Sequence, residues 1–138
     1  MVRKVRLDHI GIAVNNLDSG SEFWRILGLS QSGEDESNNE QGVNIRFIAT
    51  SGGKPPKLEL LEPTGEDTPI GRFISKRGEG LQQLAFEVDD LESLLAELSA
   101  AGVALIDETP QSGAAGTRIA FVHPKSTGGV LVELLERE

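Results

Sequence analysis

The sequence contains no cysteine, which removes disulfides, thiolate nucleophiles and thiolate-held metals from consideration. It has no surplus of positive charge. Its 13 Lys and Arg stand against 22 Asp and Glu, a net charge of −9, so no basic stripe exists to displace counterions from a nucleic acid. It has no apolar run long enough to span a bilayer, so no membrane partner is expected. The opening residues are polar and basic and lead straight into a strand-like segment, so no signal peptide is expected, and the expected compartment is the cytoplasm. The cations that are present include Lys54, Lys57, Arg72, Lys76, Arg77 and Lys125, all near expected loops. There they either keep loops solvated or gather around an anionic ligand.

What remains is an ordinary globular composition, 38% apolar and 25% charged over 138 residues. That length suits one compact domain, or two small modules sharing a core. The chain decides between these itself. Shifted by 74 residues, it falls onto itself without gaps: Leu7 meets Leu81, Val14 meets Val88, Leu17 meets Leu91, Ser19 meets Ser93 and Gly28 meets Gly102. Glu34 then meets Glu108, Gly42 meets Gly116, Ile45 meets Ile119 and Phe47 meets Phe121. The run Glu59-Leu60-Leu61-Glu62 meets Glu133-Leu134-Leu135-Glu136. This is an internal duplication. Module one covers about residues 5–63, a linker 64–79, and module two about 80–138.

Each module reads as β-α-β-β-β. Leu7 to Val14 alternates, with Ile10, Ile12 and Val14 on one face and His9, Gly11 and Ala13 on the other. Leu81 to Val88 repeats this with Leu84, Phe86 and Val88 against Gln83, Ala85 and Glu87. The first helix has capping-box spacing at Ser19 and Glu22, an expected buried stripe of Phe23, Ile26 and Leu27, and an end at Gly28. The second starts from Asp90, carries Leu91, Leu94, Leu95 and Leu98, and ends at Gly102. Strands are expected over 30–34, 43–49 and 57–61, and again over 104–108, 117–122 and 130–135. One module is too small to be comfortable alone. The expected fold is α+β, two tandem modules forming a curved mixed sheet with helices outside.

Four residues stand out on the faces turned away from the helices. His9 and Glu59 are 50 residues apart, and so are Gln83 and Glu133. A pseudo-two-fold axis between the modules would bring all four inside the sheet. An imidazole, an amide and two carboxylates suit a six-coordinate divalent ion, which ligand type alone leaves as Co, Ni, Mn, Mg or Zn. The competing reading is a packed strand histidine beside two surface glutamates.

At these residues the chain resembles the vicinal-oxygen-chelate superfamily, and within it the methylmalonyl-CoA epimerases. The resemblance covers nearly the whole length. It rests on Leu7-Asp8-His9-Ile10-Gly11-Ile12-Ala13-Val14, Glu40-Gln41-Gly42-Val43, Leu58-Glu59-Leu60-Leu61-Glu62-Pro63, Pro69-Ile70 to Gly80, and Ala85-Phe86-Glu87-Val88-Asp89-Asp90. Its most specific part is Gly113 to Glu133, with His123-Pro124-Lys125-Ser126 and Gly128-Gly129-Val130-Leu131-Val132-Glu133. The resemblance implies an enzyme that moves the α-proton of a methylmalonyl thioester through an enolate stabilised by a chelated divalent metal. It implies His9, Glu59, Gln83 and Glu133 as metal ligands, Glu133 as a proton-transfer group, and a homodimer. Lys125 and Ser126 are the candidates for contact with the acyl-CoA.

Two positions depart from the family pattern. Gln82-Gln83 replaces a His-His pair, and Ile45 stands where some members carry a catalytic glutamate. The second proton-transfer group is therefore open, with Glu40 either that group or a solvated loop residue. Trp24 and Phe73 read as core or subunit contacts. Two other functions use the same architecture: a glyoxalase-like isomerase or lyase of another small carbonyl compound, and a metal-free small-molecule binding protein. The paired carboxylates at Glu59 and Glu133 argue against the last.

Overall fold

The computed structural model describes residues 3–113 and 116–138. Ala114 and Ala115, within the C-terminal block quoted above, lie outside them. In chain order the elements are β1 (Val5–Ala13), α1 (Leu17–Leu27), β2 (Ser30–Gln31), β3 (Glu36–Asn38), β4 (Val43–Ala49), β5 (Lys57–Pro63), α2 (Pro69–Arg77), β6 (Gly80–Val88), α3 (Leu91–Ala100), β7 (Gln111–Ser112), β8 (Arg118–Val122) and β9 (Leu131–Glu136). None of the described helices is long and apolar enough to cross a membrane.

The residues form two compact units. One is His9–Gln82; the other joins the described residues up to Asp8 to Gln83–Glu138. The breaks fall inside β1 and β6, at positions that the 74-residue repeat makes equivalent.

In the first unit the strand order is β2-β4-β5-β1, with β3 also on β4. β1 and β5 are parallel, with Gly11 beside Glu59 and Ala13 beside Leu61. β4 and β5 are antiparallel, with Phe47 opposite Glu59. One face carries Ile10, Ile12, Val14, Leu58 and Leu60, packed with Leu17, Trp24 and Leu29. Trp24 is thus a core contact.

The buried side of α1 differs from the expected one. Phe23, Ile26 and Leu27 are exposed, and Leu17 and Trp24 face the sheet instead. The reason is a pair of small residues. A Cβ on Gly20 would come within 2.8 Å of a Val14 methyl, and Ser21 gives its hydroxyl hydrogen to the Leu17 carbonyl at 2.7 Å. The helix therefore lies close on a side that reads as polar in sequence. Its N-cap is also corrected: Asn16, not Ser19, caps it, and Asn16 accepts from the Ser19 N–H at 3.0 Å. Gly28, at φ 117°, ends it as expected.

The residues expected as a linker contain α2. Thr68 caps it, accepting from the Gly71 N–H, and Pro69 occupies the first turn. Ile70, with Phe73 and Ile74, covers Ala13, Val43 and Leu61. Both faces of this sheet therefore carry a core, and Phe73 belongs to it as expected.

The second unit has the order β6-β9-β8-β7 and repeats the registers of the first. Ala85 lies beside Glu133 in the parallel β6–β9 pair, and Phe121 lies opposite Glu133 on β8. Val88, Leu91, Leu95, Ala120, Val122 and Leu134 form its core, with Phe86, Leu94 and Leu98 against it. Asp90 caps α3 as expected. The strand expected over 104–108 is reduced to one bridge, Leu105 to Val122. There the Phe121 N–H donates to the Asp107 carboxylate at 2.9 Å, so a side chain replaces a ladder carbonyl. The strand expected over 30–34 is shortened to β2, and β3 forms beyond it.

The duplication extends to interactions. Glu62 accepts from the Leu17 N–H at 2.9 Å, and Glu136 from the Leu91 N–H at 3.4 Å, so each caps the helix of its own unit. Asn44 and Arg118, again 74 residues apart, donate to those same two carboxylates.

In the second unit an ionic chain stands where the first has Ala13 and Pro63. Arg6 and Arg137 each lie 2.6 Å from Glu87, and Arg137 lies 2.8 Å from buried Asp8. Hydrogen bonding from Arg6, joined by Arg137, holds the Glu87 carboxyl below the ordinary range. A carboxyl with a lower pKa folded than unfolded adds stability that is complete above the unfolded pKa, about 4.3, and fades as pH falls through the folded value. Urea midpoints measured from pH 7 to 2.5 should therefore decline less steeply for Glu87→Gln than for the parent protein. Superimposable declines would remove Glu87 from the acid response.

Candidate functional site

The sheet registers decide which side chains share a face. His9, Gly11 and Ala13 share one with Lys57, Glu59 and Leu61 through the parallel pairing. His9 is buried, and its Nδ1 lies 3.1 Å from Glu59 Oε2. Gln83, Ala85 and Glu87 share a face with Leu131, Glu133 and Leu135. Gln83 is buried, and its Nε2 donates to Glu133 Oε1 at 3.3 Å. Each unit thus holds one nitrogen side chain against one glutamate, on matched strands, with a phenylalanine opposite the glutamate on the antiparallel neighbour.

Within either unit no group of three His, Asp or Glu side chains gathers around one metal position among the described residues; each unit holds two donors. The donor types, an imidazole, an amide and two carboxylates, are ones that a divalent ion accepts. Within each pair the two polar atoms stand 3.1 and 3.3 Å apart, the spacing of an ion pair and of a hydrogen bond. In the second pair a half-turn of the Gln83 amide brings its oxygen to the coordinating place.

Pro124–Ser126 make one turn of 3-10 helix, in which His123 Nδ1 accepts from the Lys125 N–H at 3.0 Å. Ser126 Oγ accepts from the Ala104 N–H at 2.9 Å, tying this loop to the segment before β7. That leaves the hydroxyl hydrogen of Ser126 for a further acceptor. Lys125 is exposed. Glu40 is exposed in the turn between β3 and β4.

Sequence reasoning missed Glu36. On β3 it pairs with Ile45 of β4, while Ser37 pairs with Asn44 and hydrogen-bonds to it at 2.8 Å. Asn44 in turn reaches Glu62 on the helix-facing side. Glu36 therefore lies on the opposite face, that of Glu59. The break at Gly33 was the available signal, but the pairing itself is non-local. Gln82, next to the candidate ligand Gln83, has a buried amide oxygen with no hydrogen-bond partner among the described residues.

Residues 8–121 match the model of the glyoxalase/bleomycin resistance protein/dioxygenase superfamily. The chain is 44% identical to the protein YqjC of Bacillus subtilis over 95% of its own length and 91% of that protein's. It is 37% identical to the mitochondrial methylmalonyl-CoA epimerase of Dictyostelium discoideum, over 96% and 78% of the two lengths. A methylmalonyl-CoA epimerase solved in complex with methylmalonyl-CoA and NH4+ superposes with a TM-score of 0.83 at 40% identity, over 96% of this chain and 94% of that one. The chain belongs to the glyoxalase/bleomycin resistance protein/dioxygenase superfamily and, within it, to the methylmalonyl-CoA epimerase family of enzymes.

Proposed function

We propose that the chain epimerises methylmalonyl-CoA by removing the proton α to the thioester from one face and returning a proton to the other. The observation that carries this reading is the duplicated pairing of His9 with Glu59 and of Gln83 with Glu133, at matched registers in an epimerase-family chain. In each unit the paired side chains, His9 with Glu59 and Gln83 with Glu133, would offer two donors to a divalent metal. When bound, such an ion supplies Lewis-acid stabilisation to the substrate's carbonyl and carboxylate oxygens.

The chain's own residues do the rest. Glu133 takes or gives the proton on one face of the α-carbon. Glu36, rather than Glu40, serves the other face, because the β3–β4 pairing puts it beside Ile45 on Glu59's side of the sheet. The Lys125 ammonium meets a phosphate of coenzyme A, and the Ser126 hydroxyl donates to a neighbouring oxygen.

The test is deuterium entry at the α-carbon of methylmalonyl-CoA in heavy water, with protein reconstituted in turn with Co, Ni, Mn, Mg and Zn. Exchange with inversion supports the reading. No exchange with any of the five ends it. Gln83→His should tighten Co2+ or Ni2+ binding about tenfold, ~1.4 kcal/mol by calorimetry, because imidazole is the better donor to these ions. Unchanged affinity would take position 83 out of the ligand set.

A further inference from the structure

Among the described residues the partly buried Lys and Arg side chains are Arg3, Arg46, Arg118 and Lys57. Each of the arginines meets a carboxylate: Arg3 meets Glu97, Arg46 meets Asp18 and Asp35, and Arg118 meets Glu92. Lys57 is the exception, in no ion pair among the described residues. The other lysines, Lys4, Lys54, Lys76 and Lys125, are exposed and solvated. An ammonium drawn partly out of water without a partner costs free energy, and an anion from outside the chain would offset that cost.

Lys57 stands on the face of His9 and Glu59, and the ladders lay that face out in rows. One row is Ala13, Leu61 and Ile45, covered by Ile70, Phe73 and Ile74 of α2. The next is Gly11, Glu59 and Phe47. The row after that sets His9 beside Lys57. Helix α2 therefore closes one end of the face, and a ligand group held at the His9–Glu59 pair extends over the row of Lys57. Neighbouring strands lie about 4.8 Å apart, and the four-carbon stem of a lysine spans more than that. The repeat shows that the strand itself has no need of the charge. At the 74-residue offset Lys57 meets Leu131, which lies beside Gln83 in the matching ladder. One copy is charged and the other apolar. A methylmalonyl thioester is lopsided in the same way, since its carboxylate carries a full charge and its thioester carbonyl none.

We infer that Lys57 binds the free carboxylate of the acyl group, and so selects carboxylated acyl-CoA esters over plain ones. The inference rests on the epimerase reading and adds to it the residue that recognises the acyl group's charge. The experiment is calorimetric titration of Co2+-reconstituted protein with methylmalonyl-CoA and with propionyl-CoA, which lacks only that carboxylate. Melting curves check folding. Lys57→Leu copies the residue that the second unit carries at the same register. It should weaken methylmalonyl-CoA by about tenfold or more, the worth of one charge-assisted hydrogen bond, and propionyl-CoA by less than about twofold. Lys57→Gln, which keeps a polar tip without the charge, should behave alike. Equal weakening of both ligands would put the ammonium on the coenzyme A portion and overturn the assignment, and so would no weakening of either. Both of those results leave the epimerase reading standing. A parent protein that binds neither ligand ends that reading, and this inference with it.

Discussion

Glu133→Gln should slow epimerisation by orders of magnitude while leaving deuterium exchange of one methylmalonyl epimer measurable. Glutamine keeps the shape of the side chain and an oxygen able to coordinate, and it loses the negative charge and the capacity to carry the proton. General acid–base groups contribute on the order of 10²- to 10⁴-fold in rate, so inversion should fall by that factor. The epimer whose proton is taken by the other group can still form the carbanion and recover deuterium on the same face. Glu36→Gln should give the mirror result, with exchange surviving in the opposite epimer. Such a crossed pattern is peculiar to two groups acting on two faces. If both variants lose exchange of both epimers equally, Glu36 is no proton-transfer group. Full inversion in Glu133→Gln refutes the role of Glu133.

Leu60→Ala should destabilise the protein by about 2–5 kcal/mol, the range for a leucine removed from a site that cannot collapse. Leu60 is fully buried, in a core closed by Val14, Leu17, Ile48 and Leu58 with Trp24 against it. Its strand is fixed on both sides, by the parallel ladder to β1 and the antiparallel ladder to β4. The backbone there cannot sink into a vacated space without disturbing both ladders. Exposed Leu27 has none of these constraints, and Leu27→Ala should shift the urea midpoint of single chains little. Equal losses in the two variants would show that the neighbours of Leu60 refill the hole.

The end of α1 at Gly28, the start of α3 at Asp90 and the strand faces of His9, Glu59, Gln83 and Glu133 were legible because each depends on local periodicity or on one repeated offset. The buried side of α1 was not legible. An apolar-stripe reading follows Phe23, Ile26 and Leu27, whereas close approach at Gly20 decides which side packs. The helix in the insert was signalled by Thr68-Pro69, but Ile70, Phe73 and Ile74 are few enough to pass for loop residues. Glu36 acquires its face only from the β3–β4 register. That is set by hydrogen bonds between strands and leaves no periodic trace in the chain.

The breaks between units within β1 and β6 bear on how such a chain could have arisen. The residues before His9 belong with Gln83–Glu138, where Arg3 and Arg6 meet Glu97 and Glu87. Gly80, Leu81 and Gln82 belong with the first unit. A gene encoding only one module would yield a polypeptide whose leading residues have no home in their own body. They would have to be lent to a sister polypeptide that lends its own in return. Fusing two such genes makes that loan permanent, and it frees the two matched sheet faces to diverge, histidine on one and glutamine on the other.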